Sequence, residues 1–341
     1  MAARSRWTEG CKALRLSCWN GDGVRGRKLE LEHSLSQHSV DTCLLSETFL
    51  NPGQSRRLAN YGRHRIDRPT AGGCTANLVR RGIVQPSLPV PGLTHLEATA
   101  IQVTMVGKPV LILAAYLSPS RTLIGADLTA CFGGELPVLI AGDLNAKHVD
   151  WKSRLNTRRA KLLRDYGDEN SCLIFGPDSP TTNPHNPLVT PDVLDIVITK
   201  NLSFLLYLIS CSALSSDHLP VLIDTAFRSS FHHPPDRPDW TNFQTQLEEL
   251  IPFYSELHEM VISTCVENFS NAVLKALAAS TPKRRPRDYP RPPITAGILE
   301  EIRLKNRLRR QWQLTRDPAL KAEVNRLQGS VTRRLEWRND Q

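Results

Sequence analysis

The order of apolar and polar positions predicts a series of short buried strands. Short apolar runs recur through the first two thirds of the chain, and Asn20 and Gly142 directly follow two of them. Short apolar runs with such boundaries are typical of strands buried on both faces. The predicted strands are 14–19, 43–46, 66–69, 73–83, 96–106, 110–115, 137–141, 193–198 and 221–223.

Helical spacing of apolar residues separates some of these strands and dominates the last third of the chain. It predicts helices at 28–39 and 156–171, further helices between 243 and 277, and a basic helical pair over 294–338 that is broken near Asp317-Pro318. The segment 181–191 is rich in Pro and Asn and is predicted to be a loop.

Polar residues follow the predicted strand 137–141 directly. The strand stops at Gly142, and Asp143, Asn145 and His148 come next. In open sheets the groups that perform chemistry lie beyond the carboxyl ends of the strands, so this segment is a candidate site. The alternative is an ordinary turn, because Gly, Asp and Asn are also turn formers.

Five other predicted strands carry comparable polar groups within them or beside them. Asn20, Glu47 and Tyr116 each follow a predicted strand, Asp195 lies inside one, and His218 lies just before another. A buried carboxylate needs a partner, and we expect His218 to be the partner of Asp195. Each group taken alone also has a structural explanation: a capping Glu, a core Tyr or a loop ion pair.

Charge is distributed unevenly along the chain. Between Lys283 and Arg338 there are 16 Lys and Arg against 6 Asp and Glu, a net charge of +10, whereas the remainder carries −1. A basic tail beside a near-neutral body indicates polyanion binding, although a basic helix face can simply be solvated. The eight cysteines are scattered without C-x-x-C pairs, which favours reduced core thiols over zinc or redox sites. No apolar run is long enough for a membrane helix.

One glycine pattern suggests a different class of protein. Gly21-x-Gly23-x-x-Gly26 follows a predicted strand and precedes a predicted helix, as in the dinucleotide-binding fingerprint. That interpretation leaves the later strand-end residues unexplained. The alternative is that Asn20 is the functional residue and the glycines form the turn after it.

The polar residues taken together, in chain order, resemble a known superfamily. Asn20, Glu47-Thr48, Tyr116, Gly142-Asp143-x-Asn145, Asp195 and Ser216-Asp217-His218 are similar to the motifs of the exonuclease-endonuclease-phosphatase superfamily, the fold of DNase I and the apurinic endonucleases. The resemblance covers about 14–225. AGDLNAKHVDW, SPTTNP, TPDVLDIVIT and SSDHLPV are similar to the endonuclease domain of jockey-like non-LTR retrotransposon polyproteins. Phe49 departs from the pattern, since relatives commonly have His after Glu-Thr.

The resemblance implies an α/β (α+β) architecture: a four-layer α-β-β-α sandwich of the DNase I-like fold, followed by a mostly helical basic C-terminal extension. The expected boundaries are a disordered N-terminus over 1–12, the endonuclease/exonuclease/phosphatase-like domain over 13–228, a linker with helices over 229–293 and a basic helical segment over 294–341. Sequence typical of the reverse transcriptase is absent from the chain, which is expected to be truncated before it.

The implied activity is Mg2+-dependent nicking of DNA, with Mn2+ as the alternative metal, leaving a 3′ hydroxyl that primes reverse transcription. Asn20 and Glu47 would hold the metal with help from Asp217, and Asp143 would orient or deprotonate water. Asn145 and Tyr116 would bind phosphate oxygens, and Asp195 would hold a His218 that stabilises charge or transfers a proton. The expected DNA-contact residues are His148, Thr181, Arg309 and Arg310.

The expected partners are DNA and, through the basic tail, element RNA, in the nucleus and without a membrane. A reverse transcriptase domain is expected in full-length relatives. Two alternatives remain from the sequence: an inactive element remnant that binds nucleic acid through its tail, and a lipid or inositol phosphate phosphodiesterase of the same fold.

Overall fold

The computed structural model describes most of the chain. The described residues are 14–50, 58–66, 73–83, 86–88, 92–105, 108–184, 186, 188–225, 240–250 and 294–339, with short runs between 269 and 280. The expected disordered N-terminus and most of the expected linker therefore lie outside the described residues. Residues 228–291 form a compact unit of their own, and the remainder of the chain forms the other.

The first sheet has six strands in the order β11-β12-β1-β2-β4-β3. The central pair, β1 and β2, is parallel, and every other pair is antiparallel. The strands of this sheet are β1 (Arg15–Asn20), β2 (Thr42–Ser46), β3 (Tyr61–Ile66), β4 (Thr75–Arg80), β11 (Leu206–Ser210) and β12 (Val221–Thr225).

The second sheet repeats this arrangement with six strands in the order β5-β6-β7-β8-β10-β9. Its central pair, β7 and β8, is parallel, and the other pairs are antiparallel. The strands are β5 (Ser87–Leu88), β6 (Glu97–Met105), β7 (Lys108–Tyr116), β8 (Val138–Asp143), β9 (Cys172–Phe175) and β10 (Asp195–Lys200).

Three apolar cores hold the sheets and helices in layers. Leu16, Leu44, Ile112 and Leu139 belong to a core between the two sheets. A second core joins the outer face of the second sheet to helices α2 (Gly125–Phe132) and α3 (Arg158–Asn170). A third joins the outer face of the first sheet to α1 (Lys28–Gln37). Because each sheet buries both faces, its strands carry the near-continuous apolar runs seen in the sequence.

The basic C-terminal segment forms two helices that pack on the body of the molecule. α5 (Ala296–Thr315) and α6 (Pro318–Asn339) are separated by Arg316, which has a left-handed φ of 57°, and Asp317. Ile298 and Ile302 of α5 and Val331 of α6 are buried in a core with Leu29 of α1. In the separate unit, α4 covers Trp240–Leu250.

The predicted fold class is confirmed: the body is the α-β-β-α sandwich, and the extension is helical. The two mixed sheets exclude the doubly wound parallel sheet that a dinucleotide fingerprint requires. The structure has an edge strand at 61–66, where the Arg63-His64-Arg65 sequence obscures the apolar pattern, and positions 67–69 of the predicted strand 66–69 lie outside the described residues. Helix α2 and strands β9 and β11, which are short or half-exposed, were not predicted.

Several of the cysteines that were expected to be core thiols are buried in the structure. Cys18, Cys43 and Cys131 are buried thiols, and burial raises the pKa of each thiol. Among the described residues, no helix is both long and apolar enough to cross a membrane.

Candidate active site

The parallel strand pairs bring the predicted polar residues to one edge of the sandwich. In the first sheet Asn20 at the end of β1 is in register with Ser46 of β2, and Glu47 follows directly. In the second sheet Tyr116 at the end of β7 is in register with Asp143 of β8. Parallel strands end at the same edge, so each pair places two functional positions side by side.

Asp143 is the central carboxylate of this edge. Its side chain is 2% exposed, and its Oδ2 atom accepts a hydrogen bond of 2.9 Å from Nδ2 of Asn20 on the other sheet. Its Oδ1 atom accepts one of 3.0 Å from the backbone N–H of Asn145. The Nε2 atom of His218 lies 3.8 Å from Asp143 Oδ2. Asp143 therefore joins the two sheets within the candidate site.

His218 lies between two carboxylates. Its Nδ1 atom is 2.7 Å from Oδ2 of Asp195, which is fully buried at the start of β10 and is paired in register with Asp143. The expected contact between Asp195 and His218 is thus present. The backbone N–H of Asp195 and that of Leu194 donate to Oγ1 of Thr181, which fixes the start of the strand.

The net effect of burial and neighbouring charges raises the pKa of both Asp143 and His218. Burial raises the pKa of Asp143 above its ordinary value, against the opposing effect of His218, and Asp195 raises it further. Burial by itself lowers the pKa of His218, but Asp195 and Asp143 outweigh it, so the pKa of the imidazole is raised. Asp143 can therefore give or take a proton near neutral pH beside the charged imidazole of His218.

The oxygen atoms beside Asp143 suit a hard cation. The described residues contain no group of three or more His, Cys, Asp or Glu side chains arranged to hold a metal. The candidate ligands instead combine the amide oxygen of Asn20 with the carboxylate of Glu47, which is half-buried and accepts the hydroxyl of Tyr116. A carboxylate offers several lone pairs beyond one hydrogen bond. Oxygen donors of these two types are the ones that Mg2+ prefers, so the residues present fit the metal.

Backbone conformation helps to present these groups. Glu47 and Asn145 have positive φ values of 48° and 49°, which turn the chain sharply after β2 and β8. A Cβ at Gly142 would overlap the carbonyl oxygen of Ala115 on the neighbouring β7, so only glycine fits immediately before Asp143.

Arg159 on α3 is a residue that the sequence analysis missed. Its guanidinium donates to the carbonyl oxygens of Leu144 and Asn145 after β8, and to that of Ser118 after β7, at 3.2–3.3 Å. It thereby joins the two loops that carry Asn145 and Tyr116. In the sequence it belongs to the basic run NTRRAK, and nothing distinguishes it there from a solvated helix residue.

Three of the four expected DNA-contact residues are buried, which corrects that expectation. Thr181 is fully buried beneath β10, and His148, 5% exposed, accepts the N–H of Asp150 and packs on Trp151 with ring centroids 4.9 Å apart. Arg309 is 7% exposed and donates to backbone carbonyls. These side chains are occupied inside the protein and are not available to DNA. Arg310 is exposed.

Comparison with known proteins agrees with this geometry. Residues 110–222, which include Tyr116, Asp143, Asn145, Asp195 and His218, match the family model described as endonuclease-reverse transcriptase. This part of the chain is similar to that family.

Curated relatives extend the similarity across most of the chain. The RNA-directed DNA polymerase from mobile element jockey of Drosophila melanogaster is 28% identical over 337 residues, which cover 94% of this chain and 36% of the relative. The corresponding protein of Drosophila funebris is 27% identical over 92% of this chain and 36% of its own length. The chain thus spans about a third of the length of the curated relatives it matches.

Solved structures support the fold. The endonuclease domain of TRAS1, a telomere-specific non-LTR retrotransposon, superposes with a TM-score of 0.52 at 15% identity, over 63% of this chain and 98% of that domain. An AP endonuclease from Leishmania major superposes with a TM-score of 0.50 at 12% identity, over 63% of this chain and 88% of its own. Both are similar to the two-sheet body.

Proposed function

We propose that the chain is a Mg2+-dependent DNA endonuclease that nicks target DNA by hydrolysing a phosphodiester. The observation that carries the proposal is the position of Asp143, which is bonded to Asn20 across the two sheets and lies 3.8 Å from an imidazole that Asp195 holds. One buried carboxylate therefore lies beside both a candidate metal ligand and a proton-transfer group. Hydrolysis of a phosphodiester requires both functions at one place.

Each residue has a distinct proposed role at the phosphate. Asp143 orients a water molecule and takes its proton, since its raised pKa suits a general base near neutral pH. The imidazolium of His218 stabilises the negative charge that develops on the phosphate, and Asp195 fixes the orientation of the ring. Asn145 and Tyr116 donate to the phosphate oxygens in place of their present acceptors, Leu117 O and Glu47.

Asn20 and Glu47 are the proposed holders of the metal, with Asp217 acting through its hydration shell. Bound there, Mg2+, or Mn2+ in its place, would neutralise phosphate charge and stabilise the leaving oxygen. Before substrate binds, the hydroxyl of Tyr116 donates to Glu47 and holds the carboxylate at the site.

The context of the relatives supports a role in element insertion. The relatives are named as RNA-directed DNA polymerases of mobile elements, and this chain covers 36% of their length. We propose that the nick leaves a 3′ hydroxyl that a reverse transcriptase domain extends, with chromosomal DNA as substrate in the nucleus and element RNA as a further partner of the basic tail. The chain supplies the nick in this scheme.

The test is nicking of supercoiled plasmid by the purified full chain with Mg2+, with Mn2+ and with EDTA. We expect conversion to open circles that requires the metal and that Asp143→Ala abolishes. Asp168→Ala is the matched control, because Asp168 is exposed on α3. A folded chain that leaves the plasmid supercoiled under all conditions would refute the proposal, and so would full nicking by Asp143→Ala.

A further inference from the structure

Arg309 of α5 reaches from the C-terminal helices into the segment that carries His218. Its guanidinium donates from one terminal nitrogen to the carbonyl oxygen of Leu214 and from the other to that of Ser216. The side chain is only 7% exposed. A planar fork with two separated donors is the geometry that spans two carbonyl groups, and among side chains it belongs to arginine.

Ser216 transmits this contact to both halves of the candidate active site. Its Oγ atom lies 2.8 Å from the carbonyl oxygen of Asn20 and 2.8 Å from that of His218, and it accepts the indole N–H of Trp19 at 2.9 Å. The backbone N–H of His218 also donates to this Oγ at 3.2 Å. A shift of Ser216 therefore moves a candidate metal ligand and the candidate proton-transfer group together.

A second buried cluster anchors the same segment through the neighbouring residue, Ser215. Ser215 Oγ donates to the carboxylate of Glu30 on α1 and lies 2.9 Å from Nζ of Lys305 on α5. Lys305 is 1% exposed and forms an ion pair with Glu30. Gln328 of α6 accepts from Lys305 at 3.1 Å, so both C-terminal helices take part.

A C-terminal tail that was only solvated would not bury charged side chains in this way. Burial of a lysine and an arginine is costly unless each is paired, and here the partners are Glu30 and the backbone of residues 214–216. Ile298, Ile302 and Val331 attach the helices through apolar packing with Leu29. The buried cations add contacts to the segment next to the active site.

We propose that Arg309 is a positioning residue for the active site, and that helices α5 and α6 form a clamp on residues 214–218. The inference rests on the proposed nuclease function for its kinetic effect. Without Arg309 the carbonyl groups of Leu214 and Ser216 lose their buried partner, and the segment relaxes away from Asn20 and Asp195. Helices α5 and α6, which follow the sandwich in the chain, are then part of the working nuclease.

The experiment compares the full-length chain with Arg309→Ala and Arg309→Lys in nicking kinetics and in amide hydrogen exchange. We expect kcat to fall at least about 10-fold in both variants with KM for DNA unchanged, because a lysine keeps the charge but cannot span two carbonyls. Exchange at His218 and Leu219, whose N–H groups now donate to Ser216 Oγ and Thr181 O, should accelerate.

Arg326→Ala is the matched control. Arg326 lies on α6 of the same clamp, and its guanidinium pairs with Glu323 at the surface. This variant loses an equal charge and should leave kcat and the exchange at residues 214–219 as in the wild type. Ile298→Ala weakens the apolar attachment and should lower the melting temperature, with kcat retained well below that temperature.

The outcomes separate the clamp from the proposed function. Wild-type kcat and exchange in folded Arg309→Ala overturn the clamp, as does a change confined to KM, which would indicate a DNA contact. Should Arg309→Ala fail to fold, Arg309→Lys decides by the same criteria. If the wild type cannot nick DNA, the proposed function fails, while the exchange measurement still tests the clamp. Rapid exchange of the amide hydrogens of His218 and Leu219 in the wild type would by itself overturn the clamp, with no variant needed.

Discussion

The Oδ2 atom of Asp195 lies 2.7 Å from Nδ1 of His218, although 23 positions separate the two residues in the chain. Asp195 is fully buried at the start of β10, and His218 precedes β12 on the other sheet. A carboxylate at Nδ1 fixes the tautomer and the orientation of an imidazole. The other ring nitrogen then faces Asp143.

Replacement of this carboxylate gives the first prediction. Asp195→Asn keeps the size of the side chain but removes the charge that holds the imidazolium, so the rate of plasmid nicking should fall about 10²- to 10⁴-fold. The rate is measured under single-turnover conditions, with Asp168→Asn on the exposed face of α3 as the control. Unchanged rates in a folded Asp195→Asn chain would remove the pair from the mechanism.

A second prediction concerns the close approach of β7 and β8. Gly142→Ala places a methyl group against the carbonyl oxygen of Ala115, which is its partner in the strand register. We expect the free energy of unfolding to fall by about 1–3 kcal/mol, and nicking to be lost because Asp143 is the next residue. Urea denaturation and the plasmid assay measure the two effects.

Gly134→Ala is the control for this substitution, because a Cβ at Gly134 meets no described atom within 4 Å. Its free energy of unfolding should stay close to that of the wild type. Equal stability of Gly142→Ala and Gly134→Ala would show that the strand spacing tolerates a side chain.

The third prediction is a dependence of stability on pH that arises at Asp127 in α2. Its buried carboxylate accepts the backbone N–H groups of Thr94, His95 and Leu96 at 2.8–2.9 Å. Burial raises the pKa of Asp127, but these three donors outweigh it and hold the pKa below its ordinary value. The folded carboxylate therefore binds a proton less readily than the unfolded one, and its stabilisation is lost in acid.

Asp127→Asn should lower the free energy of unfolding by about 1–3 kcal/mol at pH 7. The contribution is complete above the pKa of an unfolded Asp, about 3.9, and disappears as the pH falls through the lower pKa of the folded state. Urea denaturation from pH 7 downward should show the gap between wild type and variant narrowing only below about pH 4. A difference in free energy of unfolding between wild type and variant that stays constant with pH would contradict the lowered pKa of Asp127.

The fourth prediction concerns a basic stripe, defined as Arg303, Arg307 and Arg310 on the exposed face of α5. Their spacing places them on one side of the helix, away from the buried Lys305 and Arg309. If the stripe contacts phosphates, the logarithm of the DNA association constant should fall steeply with the logarithm of salt concentration. Replacing all three by Ala should reduce that slope by up to about 3, since each phosphate contact contributes about 0.9. An identical slope in the triple variant would exclude the stripe from DNA binding.

The sequence determined the local features of this protein. Apolar runs that end in polar residues located the strands β1, β2, β7, β8 and β10, because strands buried on both faces require continuous apolar sequence. The ordered motifs pointed to the fold and to the candidate residues, since each lies at a strand boundary that the pattern reveals. The edge strand β3 escaped because its Arg63-His64-Arg65 sequence is polar, whereas the half-exposed edge strand β11 was missed although its sequence is mostly apolar.

Tertiary structure alone decided which of these residues meet and which basic residues are free. The bond between Asn20 and Asp143 joins two sheets, and its distance in the chain is 123 positions. The sequence gives Arg309 and Arg310 the same appearance, yet one is buried against the carbonyls of residues 214 and 216 and the other is exposed. A one-residue step turns a side chain by about 100° around a helix, so the packing of α5 on the body determines which arginine faces inward.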